Sequence, residues 1–396
     1  MLGQAAPCVP FPVNPHPESW SVAATMRIET LEIRSNAPGT RHSLQVFRFG
    51  TTGASPKAYV HGALHADEVP AILVTQQLRQ QLEALEANGQ LVGEVILVPF
   101  ANPLGLSQQV LGQHHGRFDL RDGANFNRAF PDLSNPLLEA VRDTLGGDAQ
   151  RNTQLIRAAL RDCAQRLVAG APAEDLKNRL LQLAVDADVV LDLHCDSEAV
   201  MHLYALTPHA DMAQELGAAL GAQAVLLATE SGGSPFDEAC TRPWYLLQQQ
   251  LPNVPIDLAC FASTIELRGE ADTSHGLAQR DADGLVQFLR LRGVLKGPGT
   301  ALEPPACVPT PLSGSEPVTA PHAGVVVFRC EPGQRVEAGD PIVDLVDAST
   351  GAITTLRCES GGVVYARCGS RWAWPGMRLA KIAGTSLSRT GELLSP

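Results

Sequence analysis

The chain has 396 residues, of which 44% are hydrophobic and 18% charged, and a formal net charge of -12 at pH 7. This length exceeds one ordinary core and predicts two domains, or one large domain with an appendage. The acidic balance argues against a nucleic-acid partner, and it requires local arginines to hold any anionic substrate against the overall field.

Met1 to Ser21 carry neither the basic nor the apolar region of a secretory signal. No stretch reaches the roughly 20 apolar residues of a membrane span, so no membrane partner is expected. Nine cysteines without a C-x-x-C pair read as reduced thiols. The expected location is the cytoplasm.

Residues 1–25 are Pro-rich and aperiodic, and they predict an N-terminal arm on the surface or on a partner subunit. Strands are expected over 30–34 and 44–49 as an initial hairpin, with the turn at Asn36-Ala-Pro-Gly-Thr. A strand at 57–64 precedes a helix at 68–87, and a buried-type strand follows at 92–99. Residues 102–135 read as a long loop rich in Gly, Asn and polar residues, a length more often functional than filler. Helices are predicted over 155–167 and 174–184, then strands over 188–193 and 201–206. The alternation continues with a helix at 211–220, a strand at 224–228, a helix at 243–250, a strand at 263–267 and a helix at 282–295. This pattern predicts an α/β domain over 26–296 with a mostly parallel or mixed sheet flanked by helices, and ligands at the carboxyl ends of its strands. Six prolines between 297 and 317 mark a linker. Residues 318–385 read as a smaller all-β domain, and 386–396 as a polar tail.

His65 and Glu68 form an H-x-x-E pair where the 57–64 strand meets the next helix, one turn apart, so that imidazole and carboxylate can converge on a metal. A catalytic zinc site needs a third protein ligand and an open position for water. His194, at the end of the strand Val189-Val-Leu-Asp-Leu-His, faces the same crevice, although a lone histidine is more often an ordinary hydrogen-bonded residue. Asp192 or Asp196 could orient its ring. Cys195 is turned to the opposite face by strand alternation and reads as a packed thiol. Glu266 in Ser263-Thr-Ile-Glu-Leu-Arg-Gly is costly to bury without a partner. It is a candidate general base, and the competing reading is an ion pair with Arg268 on the same strand face. The segment Gly116 to Pro131 holds Arg117, Arg121 and Arg128 beside Asn125 and Asn127. Its arginines could fork a carboxylate or stabilise an oxyanion, or simply pair with Asp119 and Asp122. Ser231-Gly-Gly-Ser-Pro is either a substrate lid or a plain connection.

Five short motifs then occur in one order: Gly-x-x-His-x-x-Glu at 62–68, Asn-Pro-x-Gly at 102–105, Asn-Arg-x-Phe-Pro at 127–131, Asp-Leu-His at 192–194 and Thr-x-Glu-x-x-Gly at 264–269. Together they resemble the succinylglutamate desuccinylase/aspartoacylase family, a branch of the zinc carboxypeptidase-like fold. The resemblance covers residues 55–295 and extends to the C-terminal β domain. It implies one Zn2+ per chain held by His65, Glu68 and His194, with Glu266 as general base. Asn127 and Arg128 would hold a substrate carboxylate, and a further arginine would polarise the scissile carbonyl. Spacing favours Arg121 for that role, with Arg117 as the rival. The expected reaction is hydrolysis of the amide of an N-acyl amino acid or similar small carboxylate. The alternatives are a metallocarboxypeptidase acting on peptides or peptidoglycan fragments, and a non-catalytic binding or assembly protein that retains the fold.

The C-terminal segments Ala320-Pro-His-Ala-Gly-Val-Val and Val336-Glu-Ala-Gly-Asp-Pro-Ile resemble the biotinyl/lipoyl-type β fold. Residues 347–352 lack the lysine a carrier needs at the hairpin tip. A cover for the active-site mouth or an oligomer interface fits better, and a homo-oligomer is expected.

Overall fold

Valine, isoleucine and leucine dominate Glu94–Val98 and make up half of Val189–Asp196, Lys57–Gly62 centres on Ala58, Tyr59 and Val60, and each strand is buried along nearly its whole length. Strands without a wet face belong inside a sheet covered on both sides. The computed structural model, which describes residues 26–386 and 389–394, places them at the centre of a nine-stranded mixed sheet. The predicted N-terminal arm lies outside the described residues.

Reading across the sheet, Arg27–Ile33 and His42–Phe49 form an antiparallel hairpin at one edge, followed by Glu94–Val98, Lys57–Gly62, Val189–Asp196 and Phe261–Gly269. From Glu94–Val98 to Phe261–Gly269 the neighbours run parallel, so their carboxyl ends open on one crevice. Met201–Leu206 pairs antiparallel with Phe261–Gly269, and Ala224–Ala228 lies beyond it. Alternation sends Tyr59, Ile96 and Val190 into one core, and Ala58, Val60 and Leu191 into the other.

Several elements differ from expectation. A helix not foreseen occupies Ser134–Val141, and the helix expected over 155–167 runs over Ala149–Gln165. The helix predicted from Pro243 starts seven residues, about two turns, earlier and runs over Phe236–Gln250, with Pro243 inside it. Two acids in its first turn complement the helix dipole, and the Phe236 amide donates to Asn127 Oδ1 at 2.9 Å. The helix predicted over 282–295 occupies His275–Leu291, because the Ser274 hydroxyl caps it by accepting from Leu277 N. Part of the predicted linker is ordered into the fold: Thr310–Pro311 joins the edge of the large sheet beside Ala224–Ala228, and Leu312 is buried. An edge position tolerates the proline, which has no amide to donate.

C-terminal to this, Glu316–Thr319, Arg378–Ala383, Gly362–Arg367 and Arg335–Val336 form one antiparallel sheet. Ile353–Arg357, Pro341–Val346, Gly324–Phe328 and Trp372–Ala373 form another. They enclose a core that includes Val326, Ile342, Leu345, Val364 and Leu379. Glu198–Ala199, at the crevice end of the large sheet, pairs with Gly362–Arg367 and joins the two regions. The tail, read from sequence as polar, buries Leu393 against Tyr204, Leu226 and Tyr365.

Candidate active site

The turn after Lys57–Gly62 is tight. Ala63 takes a φ of 56°, a left-handed conformation that non-glycine residues seldom adopt. The Asn102 side chain holds this turn by donating to Leu64 O at 2.9 Å, while its Oδ1 accepts from Gly105 N. Gly116 closes over it: its carbonyl accepts from Ala66 N, and a Cβ there would meet Asp67 N at 2.1 Å. These braces aim His65 and Glu68 into the crevice.

His194 ends Val189–Asp196 beside them. Glu68 lies between the two rings, with Oε1 at 2.8 Å from His65 Nδ1 and Oε2 at 2.7 Å from His194 Nδ1. The far nitrogens face acceptors: His65 Nε2 meets Asn125 Oδ1 at 2.9 Å, and His194 Nε2 meets Asp192 Oδ1 at 2.8 Å. His194 Nε2 also lies 3.1 Å from Asn127 Nδ2. With the far nitrogens protonated, both Nδ1 atoms are left pointing at carboxylate oxygens. Acceptors so opposed need a proton or a cation between them. The ligand atoms of His65, Glu68 and His194 lie within 4.8 Å of one another, and two imidazoles with one carboxylate suit a divalent transition metal.

The electrostatics agree. Burial works against the Glu68 carboxylate, yet the imidazoles of His194 and His65 hold its pKa below the usual range. His194 is also desolvated, but Asp192 and Glu68 raise it well above an ordinary histidine. His65 is lowered by burial and by the Arg117 charge. The Cys195 thiol is pushed up by burial and packs into the core as expected, while its amide donates to Glu68 Oε2.

Glu266 lines the same cavity, and its Oε2 is buried without a hydrogen-bond partner. The expected competitor, an ion pair with Arg268, does not form. The register shifts between Glu266 and Gly269, Arg268 takes a φ of 72°, and its guanidinium turns away to Asp281. A bulge re-aims side chains that simple alternation would leave on one face. Burial and then the Glu68 charge push Glu266 up to about 8.

The arginines separate. Arg117 lines the cavity, with Nη1 at 3.2 Å from His65 Nδ1 and 3.5 Å from Glu68 Oε1. Arg121 does not line it. Its guanidinium is half-exposed and forks Asp119, because that carboxylate is buried two residues away. Of the two arginines weighed for the carbonyl, the structure brings Arg117 to the cavity and leaves Arg121, the one spacing favoured, outside it. Arg128 lines the cavity and donates to Asn127 O. Asn127 lines it too, but its Oδ1 is taken by Phe236 N and its Nδ2 lies 3.4 Å from Asp192 Oδ2. Its amide therefore positions other groups.

Two supports went unread in the sequence. His61 stands 2.6 Å from Asp192 Oδ1 and 2.9 Å from the Tyr59 hydroxyl, so it fixes the carboxylate that orients His194. Lys177 is buried and donates to Asn125 O and Arg128 O, bracing the loop from below. Its signal was a lysine on the apolar face of Pro172–Ala184, between Leu176 and Leu180.

The cavity, about 300 Å3, is roofed from the C-terminal sheets by Arg367, Arg378 and Lys381, and by Leu394 of the tail. Asp196 pairs with Lys381 and does not orient His194. The Ser231–Pro235 segment also borders it: Gly233 O and Ser234 O accept from Ala129 N and Phe130 N. Among the described residues, no helix is long and apolar enough to cross a membrane.

Residues 54–159 match the model of the succinylglutamate desuccinylase/aspartoacylase catalytic domain. No curated protein matches the chain. Among solved structures, a succinylglutamate desuccinylase/aspartoacylase family protein of Shewanella amazonensis SB2B is 30% identical, with a TM-score of 0.80 over 90% of this chain and 98% of that one. A protein of Shewanella frigidimarina NCIMB 400 titled for the same family is 25% identical, with a TM-score of 0.80 over 91% and 97%. The product-bound ectoine utilization protein EutE (DoeB) of Ruegeria pomeroyi, 18% identical with a TM-score of 0.64 over 91% and 95%, shares the fold. The chain belongs to the succinylglutamate desuccinylase/aspartoacylase family, whose catalytic domain it carries on an α/β sheet of the expected kind.

Proposed function

We propose that the protein is a zinc-dependent amidohydrolase that cleaves the amide of an N-acyl amino acid or a similar small carboxylate. The observation that carries this reading is the convergence of His65 Nδ1, His194 Nδ1 and the Glu68 carboxylate opposite the unpartnered Glu266 Oε2. His65, Glu68 and His194 would hold the metal, which supplies a Lewis acid and lowers the pKa of a water.

Glu266 takes the proton of the attacking water at its carboxylate and returns it to the departing nitrogen, so water adds across the amide as acid and amine. Arg117 donates to the carbonyl oxygen as negative charge builds there. Arg128 binds the substrate carboxylate. Asp192 and Asn125 keep the far imidazole nitrogens protonated, so that both Nδ1 atoms remain ligands.

The closed roof and the cavity of about 300 Å3, at the small end of ligand sites, favour a small molecule over a peptide chain. The eight described cysteines are all unpaired, which supports a reducing compartment such as the cytoplasm. Metal analysis of the purified protein, with a screen of N-acetyl, N-succinyl and N-formyl amino acids, tests the reading. One zinc per chain and release of free amine are expected. Absence of bound zinc together with no hydrolysis across the panel overturns it.

A further inference from the structure

The first turn of Phe236–Gln250 brings two carboxylates into the cavity wall, Asp237 and Glu238. Asp237 is 92% buried (8% exposed), and its Oδ1 makes no hydrogen bond. Ser231 lies beside them. Its amide donates to Glu238 Oε1 at 2.6 Å, while its buried hydroxyl has no partner. Thr241 lines the same wall and donates its hydroxyl to the Asp237 carbonyl.

A buried carboxylate beside a second, half-buried one needs a cation or protons. The arginines and lysines near them do not form ion pairs with them among the described residues. Arg242 pairs with Glu230 and Asp132, Lys381 with Asp196, and Arg367 with Glu198 and Glu331. Arg128 is the cation whose field reaches both acids, and its Nη1 donates to Asn127 O. Burial and then the neighbouring Glu238 push Asp237 up to about 7, which a bound cation would reverse.

We infer that Asp237 and Glu238, with the Ser231 hydroxyl, form a subsite for an ammonium group on the amine half of the substrate. The preferred substrate is then an N-acyl diamino acid. Its carboxylate meets Arg128, its acyl carbonyl meets Arg117 above the His65–Glu68–His194 cluster, and its side-chain ammonium meets Asp237. This assignment rests on the deacylase reading and narrows its substrate class. Net charge points the same way: a chain at -12 with one buried and one half-buried acid on this wall disfavours an acidic side chain there.

The test uses the zinc-loaded full chain and separates binding from turnover. Isothermal titration compares ornithine, norleucine and glutamate as product analogues, and hydrolysis is measured on the N-acetyl and N-succinyl derivatives of the same three. Norleucine replaces the ammonium of ornithine by a methyl group at the same length. The expected result is at least tenfold preference for ornithine over both others, in affinity and in kcat/KM. In Asp237→Asn the ornithine-to-norleucine ratio falls towards one, with a smaller fall in Glu238→Gln.

A preference for glutamate, or equal treatment of ornithine and norleucine by the unmodified protein, overturns the subsite whatever the variants do. If that preference comes with hydrolysis, the deacylase reading stands without the subsite. If ornithine binds selectively and Asp237→Asn abolishes the selectivity, but no derivative is cleaved, the subsite stands and the deacylase reading falls.

Discussion

The carboxyl ends of Lys57–Gly62, Val189–Asp196 and Phe261–Gly269 and the C-terminal strands Gly362–Arg367 and Arg378–Ala383 line one cavity from opposite sides. From the large sheet come His65, Glu68, His194 and Glu266; the first three are almost fully buried and held by neighbours from other elements, while Glu266 Oε2 is buried without a partner. From the C-terminal sheets come Arg367, Arg378 and Lys381, cations on long side chains. Lys381 and Arg367 are tied to Asp196 and Glu198 of the opposite wall. The first region presents groups that could react. The second closes the space above them and balances acids on its rim. Chemistry therefore depends on the short, braced side chains of the sheet, and access on the roof.

That contrast fails outright if the sheet residues prove dispensable. Glu266→Gln removes a proton acceptor and little volume, so zinc content should stay at the wild-type level while kcat/KM falls by about 10^2–10^4-fold. Turnover close to wild type would assign the base elsewhere. Within the 116–131 loop, Arg117→Ala should lower kcat by about 10^2–10^3-fold, as for loss of an oxyanion donor. Arg121→Ala should stay within roughly twofold to threefold, as a surface pair loss. Steady-state kinetics of the two variants side by side decide which arginine faces the carbonyl.

Metal binding sharpens the contrast through pH. In the metal-free protein burial opposes a charged His194, but Asp192 and Glu68 raise its pKa well above the ordinary value and so favour the doubly protonated ring. Ligation must displace the extra proton of that ring. Zinc affinity should therefore rise about tenfold per pH unit through neutrality, with about one proton released per chain, measured by titration calorimetry in buffers of different ionisation heat. The same raised pKa contributes stability to the metal-free fold that is complete below pH of about 6.5 and is lost as pH rises through the folded value. The smallest effect belongs to the roof. Lys381→Ala should raise KM several-fold and leave kcat within about twofold, since the ammonium touches Asp196 and not the reacting atoms. A kcat loss as large as that of Arg117→Ala would erase the distinction between the two walls.

Much of the fold was legible because its signals are local. The runs at 58–60, 94–98 and 189–193 are mostly apolar, as strands of a sheet interior are, and short motifs at 62–68, 102–105 and 192–194 mark their carboxyl ends or the turns that follow. His65, Glu68 and His194 could be named for the same reason: each sits at a strand end. Lys177 and His61 escaped because their partners lie on other elements, Asn125 and Arg128 for one and Asp192 for the other. Spacing ranked Arg121 above Arg117, and only the pairing of Arg121 with Asp119 shows which guanidinium is already committed. The start of Phe236–Gln250 was missed because proline stops a helix by a local rule, whereas Asn127 Oδ1, distant in sequence, supplies the acceptor for its first turn.

By itself, the sequence determined the α/β pattern, the strand-end placement of two histidines and two glutamates, and a C-terminal β region without a carrier lysine. Short-range hydrophobic period and turn chemistry specify those features. Tertiary structure alone decided that a bulge frees Glu266 from Arg268, that Arg117 faces the histidines, and that the C-terminal strands and tail roof the cavity. Each depends on atoms brought together across 40 residues or more, or on one backbone angle at Arg268. Neither leaves a periodic trace in the chain.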